Sequence, residues 1–234
     1  KQLVAKYFDV NKISIIEGDA NVAATFSSLP FDHLFFTGST NVGKLVMRAA
    51  AEHLVPVTLE LGGKSPAIIA DDMDINTAVE RFILGKTLNA GQTCVAPDYL
   101  FCPKGKTQQL IDAIETTFKS MYPSVKDNKD YTSVVNIAQH SRLQTLINDA
   151  DTKGAVITPL GGDPGCSKTR QMPLTLIHNV SKDMQVMQQE IFGPLLPILE
   201  YDTLEQAIDY INEGERPLAL YIYSFDKAFQ NKIL

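Results

Sequence analysis

A cysteine on a glycine-flanked turn, two glutamates at the edges of apolar runs and a glycine-punctuated strand end have the residue types and spacing for chemistry. In NAGQTCVAPD, residues 89–98, Cys94 falls just past a helical pattern; Gly91 is suited to end that helix and Pro97 cannot continue it. A cysteine held on such a loop is either a small packing residue or a nucleophile. Only the thiolate attacks, and a free thiol is a few per cent ionised near neutral pH, so the nucleophile reading requires local activation. In VTLELGG, strand alternation sends Val57, Leu59 and Leu61 to one face and Thr58 and Glu60 to the other. A carboxylate therefore leaves the sheet where two glycines open the backbone; taken alone, Glu60 reads as a solvated strand end. In EIFGPLLPI, residues 190–198, Glu190 precedes a Gly-Pro turn and an apolar run, and by itself reads as a turn entering a strand.

The stretch FTGSTNVGKL, residues 36–45, admits three readings. HLFFTG reads as a strand ending at Gly38, and Ser39 or Thr40 caps the helix that follows, whose first backbone N–H groups are then free for an anion. Gly43 and Lys44 have the spacing of a nucleotide-hydrolase loop, with AIIADD (67–72) as its acidic metal-binding strand. That loop requires Ser or Thr after its lysine, and here Leu45 follows. Alternatively, Gly38 and Gly43 serve only a tight strand-to-helix turn.

The elements that must position these residues alternate between β-rich runs and helical patterns. The runs are ISII (13–16), LFF (34–36), VPVTLEL (55–61), PAIIA (66–70), YLFC (99–102), AVIT (155–158), LPIL (196–199) and LALYIYS (218–224). The clearest helix places Val42, Leu45, Val46, Ala49, Ala50 and His53 at helical spacing, and others span 75–89, 107–122, 141–151 and 203–212. Strands alternating with helices imply parallel pairing and an α/β fold. PLGGDPGCSK (159–168) reads as a loop, and LGGKSP (61–66) marks a boundary between residues 1–61 and 62–234.

Composition excludes several classes. The 234 residues are 44% hydrophobic and carry a net charge of −6 with no basic stripe, which argues against a nucleic-acid partner. No apolar run is long enough to span a membrane and no signal peptide is recognisable, so a cytoplasmic location is expected. Cys94, Cys102 and Cys166 form no CxxC and the four histidines no HExxH, so neither disulfides nor a metal site is expected.

Together, FTGSTNVGK, LELGGKSP, NAGQTC and QEIFGP, in this order and at these intervals, resemble the aldehyde dehydrogenase superfamily from about residue 13 onward. PVTLELGGKSP and GQTCVAPDYL look most like its class 3 branch, and within it the coniferyl aldehyde dehydrogenases. The resemblance implies the last part of a Rossmann-type cofactor domain in 1–61 and most of the α/β catalytic domain in 62–234. It implies Cys94 as the nucleophile and Glu60 as the general base for the thiol, the water, or both. Gly38, Ser39 and Gly43 lie in the loop against a dinucleotide pyrophosphate, which needs no hydroxyl after Lys44. Glu190 holds the nicotinamide ribose, with Phe192 beside it. The cofactor implied is NAD or NADP, and the substrate an aromatic or medium-chain aldehyde such as coniferyl aldehyde, released as the acid because coenzyme A-using relatives generally lack the glutamate at position 60. A homo-oligomer, a dimer, is implied for the full-length protein.

The chain opens on Lys1 and stops in KAFQNKIL, which reads as the opening turns of a helix, so a longer protein is expected. By resemblance, the oxyanion-donating Asn and the adenosine-ribose ligands precede Lys1 and the final strands follow Leu234; these 234 residues alone are expected to be inactive.

Overall fold

A computed structural model describes residues 1–126, 128–161 and 169–234; most of the expected 159–168 loop, with Cys166, lies outside the described residues. The chain forms two compact units, Lys1–Leu61 and Gly62–Leu234.

In the first unit, helices α1 (Gln2–Tyr7) and α2 (Ala20–Ser27) precede strand β1 (Leu34–Thr37), helix α3 (Thr40–Ala51) and strand β2 (Val57–Glu60). The strands pair in parallel, Leu34 opposite Val57 and Thr37 opposite Glu60. A strand needs a neighbouring strand for its backbone groups, and ISII finds none among the described residues: 13–16 is irregular, with Ile13, Ile15 and Ile16 exposed, which corrects the expected strand there. Helix α2 is an element that the pattern did not announce; the Asp19 carboxylate caps it, accepting from the N–H of Asn21 at 3.0 Å and of Val22 at 3.1 Å. Helix α3 turns Gly43, Val46 and Ala50 inward rather than the wider face read from its spacing, and Val42 and Leu45 stay exposed. Leu34, Val46, Ala50 and Val55 form the small core.

The second unit runs β3 (Pro66–Ile69), α4 (Ile75–Thr87), a 3-10 turn (Leu88–Gly91), β4 (Tyr99–Pro103), α5 (Thr107–Met121), α6 (Ile137–Thr152), β5 (Val156–Pro159) and β6 (Thr175–His178). It continues with α7 (Gln185–Gln188), β7 (Leu195–Tyr201), α8 (Leu204–Asn212), β8 (Tyr221–Tyr223) and α9 (Lys227–Ile233). Its six strands lie in the order β5-β6-β7-β4-β3-β8, every pair parallel except β5 with β6. Central parallel strands are buried on both faces, and side chains two apart go to the same side. Thus Ala67, Ile69, Leu100 and Cys102 pack with Val79, Phe82, Leu110, Ile114 and Phe118 of α4 and α5. Ile68, Tyr99 and Phe101 join Leu143 and Leu146 of α6, Val186 of α7 and Ala207 of α8 on the other side. This is the α/β architecture expected. Strand β6 is a short apolar run that the sequence pattern did not single out; it runs parallel to β7, and β5, antiparallel to it, is the strand that reverses the sheet's direction.

Candidate active site

Because β7, β4, β3 and β8 are parallel neighbours, the segments entering them arrive at one edge of the sheet. Those segments carry Glu190, Cys94 and Gly62 to Lys64, and β8 opens on Tyr221, so topology alone gathers them at the amino ends of four strands.

The cysteine turn departs from the regular backbone. Helix α4, expected to reach Asn89, stops at Thr87, and Asn89 (φ 52, ψ 30), Ala90 (φ 54, ψ 37) and Gly91 (φ 72) follow in the left-handed region. A side chain at Gly91 would place its Cβ 2.5 Å from the carbonyl oxygen of Gly193, so only glycine fits. The buried Gln92 side chain holds the strained backbone: Nε2 donates to the carbonyls of Asn89 (2.9 Å) and Ser133 (3.1 Å), and Oε1 accepts from the N–H of Val135 (2.8 Å). Past it, Cys94 is exposed on the turn, and the hydroxyl of Tyr221 donates to the carbonyl of the next residue, Val95. Cys102 is the opposite case: buried in the core, its thiol is pushed up to about 12, chiefly by desolvation. Among the described cysteines, only Cys94 has the exposure that a nucleophile requires.

Glu190 is seated by the two glycines of LGGK. The Gly63 N–H donates to its carboxylate, and a Cβ on Gly62 would overlap its Oε1. Burial raises the Glu190 pKa; the Gly63 bond opposes this, Asp98 adds to it, and Arg142 and Lys64 oppose it. Phe192 follows with φ 47 and stays 42% exposed.

In the first unit, Gly38, Ser39 and Gly43 come together at the start of α3 and Glu60 ends β2. The Gly38 N–H donates to the Glu60 carbonyl (3.1 Å) and the Gly43 N–H to the Ser39 carbonyl (2.9 Å). The Ser39 hydroxyl caps the helix from 3.4 Å, and Gly43 is inward because a Cβ there would lie 2.8 Å from Leu61 Cδ2. The exposed Glu60 carboxylate leaves the strand end. An apolar cavity of about 460 Å³, lined by Ser14, Ile16, Gly18, Val22, Ala23, Phe26 and Phe31, also belongs to this unit. No motif marks it in the sequence; its trace is the small lining residues Ser14, Gly18 and Ala23. The helix start and the apolar cavity are the two surfaces that a dinucleotide's phosphates and its flat base require, so the residues present fit such a cofactor.

The nucleotide-hydrolase reading loses its metal strand. The Asp72 carboxylate accepts from the hydroxyl of Ser224 and the N–H groups of Phe225 and Asp226, Asp71 pairs with Lys106 at 2.9 Å, and no metal-holding cluster exists among the described residues. Nor is any helix among them long and apolar enough to cross a membrane.

Known proteins resemble the chain in sequence and in fold. Residues 8–234 match the profile of the aldehyde dehydrogenase family. A probable coniferyl aldehyde dehydrogenase of Pseudomonas aeruginosa is 49% identical over the whole of this chain, which covers 48% of that relative. The substrate-bound Staphylococcus aureus AldH superposes with a TM-score of 0.92 at 42% identity, over all of this chain and 50% of that one. A Staphylococcus aureus betaine aldehyde dehydrogenase in complex with NAD+ gives a TM-score of 0.80 at 26% identity, over 91% of this chain and 43% of that one. The chain thus spans about half the length of the relatives it matches.

Proposed function

Since this chain belongs to the aldehyde dehydrogenase family, we propose that it carries the thiol and part of the cofactor site of an enzyme oxidising an aldehyde to its carboxylic acid with NAD or NADP. The observation that carries this reading is Cys94: an exposed thiol on a left-handed turn, at the same sheet edge as a glycine-seated glutamate. The substrate proposed is an aromatic or medium-chain aldehyde such as coniferyl aldehyde, in keeping with the named Pseudomonas relative.

An aldehyde carbon cannot release hydride until a nucleophile has added electron density to it. The Cys94 thiolate adds to the carbonyl carbon and forms a thiohemiacetal. NAD or NADP, when bound, supplies the hydride acceptor. Glu60 takes the thiol proton, and later the proton of the water that cleaves the Cys94 thioester, which releases the acid and restores the thiol. The start of α3, with Ser39 as its cap and Gly38 and Gly43 flanking the turn, holds the pyrophosphate, and the cavity beside α2 takes the adenine. The Glu190 carboxylate holds the ribose hydroxyls, and Phe192 packs beside that half of the cofactor. The working protein of full family length is proposed to be a homodimer, which light scattering would check.

The test uses a protein of full family length that contains these residues. NAD(P)H formation with a panel of aromatic and aliphatic aldehydes is expected, and is lost in Cys94→Ala. Turnover that survives in Cys94→Ala refutes the mechanism.

A further inference from the structure

The irregular segment around Glu190 is held by charged side chains rather than by a strand ladder. The Lys64 ammonium donates to the carbonyls of Val186 (2.8 Å) and Gln189 (3.1 Å) and pairs with the Asp98 carboxylate. The other Asp98 oxygen accepts from the Ile191 N–H at 2.8 Å. The Arg142 guanidinium donates to the carbonyls of Glu190 (3.2 Å) and Ile191. Asp98 closes the cysteine turn, four residues past Cys94, and its own N–H donates to the Ser65 carbonyl at 2.8 Å, next to Lys64. The Asp98 and Lys64 side chains are 4% and 17% exposed, and the Lys64 ammonium also lies 5.4 Å from the Tyr99 ring centroid.

From this arrangement we propose that Lys64 and Asp98 form a positioning pair that locks the cysteine turn and the Glu190 loop into one register, so that the placement of Glu190 and the reactivity of Cys94 are set together. The inference rests on the aldehyde dehydrogenase reading of Cys94 and Glu190 and names what joins them. The physical ground is that one carboxylate serves two segments. Its covalent neighbours belong to the Cys94 turn, one oxygen fixes the Ile191 N–H, and the other fixes the cation that grips the two carbonyls before Glu190. A buried carboxylate paired in this way cannot leave either partner without stranding a charge, so the two segments move together or not at all. Arg142 donates to the Glu190 loop and to Gln139 of its own helix, with no hydrogen bond to the Cys94 turn among the described residues, and supplies the control.

The experiment follows Cys94 alkylation by iodoacetamide together with amide hydrogen exchange of residues 189–193, without cofactor, in the purified chain. In Asp98→Asn and in Lys64→Gln, exchange of that segment is expected to quicken about tenfold and Cys94 alkylation to change at least about threefold, in the same variants. Lys64→Arg, which keeps the charge, is expected to stay within about twofold on both readouts, and Arg142→Gln to loosen 189–193 while leaving Cys94 alkylation unchanged. Should Asp98→Asn fail to fold, Lys64→Gln decides. The pair's role is overturned if either segment responds without the other, or if Arg142→Gln alters Cys94 as strongly as Asp98→Asn. A separate readout, the effect of added NAD or NADP on Cys94 alkylation in an unsubstituted protein of full family length, judges the functional reading: its absence there would remove the cofactor proposal and leave the exchange result on the pair standing.

Discussion

Lys86, in the last turn of α4, is 1% exposed, and replacing it is expected to make the protein more stable. Burial holds its amine down to about 8 from 10.5; the nearby Lys64 charge pushes the same way, and Asp98, already paired with Lys64, opposes. Each pKa unit corresponds to about 1.4 kcal/mol, so keeping this ammonium in the fold costs on the order of 3 kcal/mol at neutral pH relative to the unfolded chain. The sign follows from proton counts. The folded chain releases this proton near pH 8 and the unfolded chain only near 10.5, so the penalty is complete below 8, shrinks through that window and is gone above it. Lys86→Met keeps the length of the side chain and removes the charge. Urea unfolding of both proteins below pH 8 should show the variant more stable by about 3 kcal/mol, with the difference vanishing above about pH 10.5. A variant no more stable than the parent below pH 8, or a gain independent of pH, would refute the reasoning: the first would mean that the amine makes bonds offsetting its desolvation, the second that the gain does not come from the charge. If the stabilised variant also loses turnover in the longer protein, the charge is retained for chemistry at the expense of stability.

The remaining expectations address the site directly. Iodoacetamide should modify Cys94 far faster than Cys102, whose buried thiol is pushed up to about 12, and mass spectrometry showing equal labelling would contradict the nucleophile assignment. Glu60→Gln, in a protein of full family length, should lower steady-state turnover by about 10² or more while sparing the first burst of NAD(P)H if Glu60 acts mainly on water; a loss of only a few-fold would remove it as the base. Gly62→Ala should expel the Glu190 carboxylate from its seat, so cofactor affinity by calorimetry should fall to the level of Glu190→Gln; retained affinity would show that the seat is dispensable.

How much of this was legible in the sequence depended on the range of the interactions. The strand and helix patterns are local, and they located α4, α5 and seven of the eight strands, because a two-residue or 3.6-residue period is written into consecutive positions. The failures have local causes as well. ISII carries strand-forming residues, yet among the described residues no strand pairs with it, and the Ile13 N–H instead donates to the Asp9 carbonyl at 2.9 Å. Helix α6 starts at Ile137 rather than Ser141 because Asn136, not the apolar period, sets its beginning, its side chain accepting from the Gln139 N–H at 2.8 Å. The glycine, cysteine and glutamate motifs named Gly38, Ser39, Gly43, Glu60, Cys94, Glu190 and Phe192 as candidates, whereas the groups that hold two of them were invisible. Lys64 with Asp98, Arg142 with the carbonyls of Glu190 and Ile191, and Gln92 with Ser133 and Val135 are joined by tertiary contact alone; Lys64, Gln92 and Asp98 lie inside the quoted motifs, but nothing in their spacing says which groups they meet.

That division has a physical reason, which lies in the backbone of the site. A nucleophile must be exposed and yet fixed, and a thiol on a strand or helix face would be held by packing that also buries it, as Cys102 is. The chain instead spends conformational strain. Asn89 and Ala90 in the left-handed region, and Phe192 beyond them, each hold a conformation costing on the order of 1 to 3 kcal/mol, which survives only where surrounding bonds over-determine it. Those bonds are supplied by Gln92 on one flank and by Asp98, Lys64 and Arg142 on the other, with the Tyr221 hydroxyl on the Val95 carbonyl between them. Polar side chains do here what a hydrogen-bond ladder does elsewhere, and they leave the thiol itself uncovered. The supports of the turn that carries Cys94 are therefore tertiary, and local pattern shows the turn but not the bonds that hold it, as expected where a site accepts strain at a cost in stability.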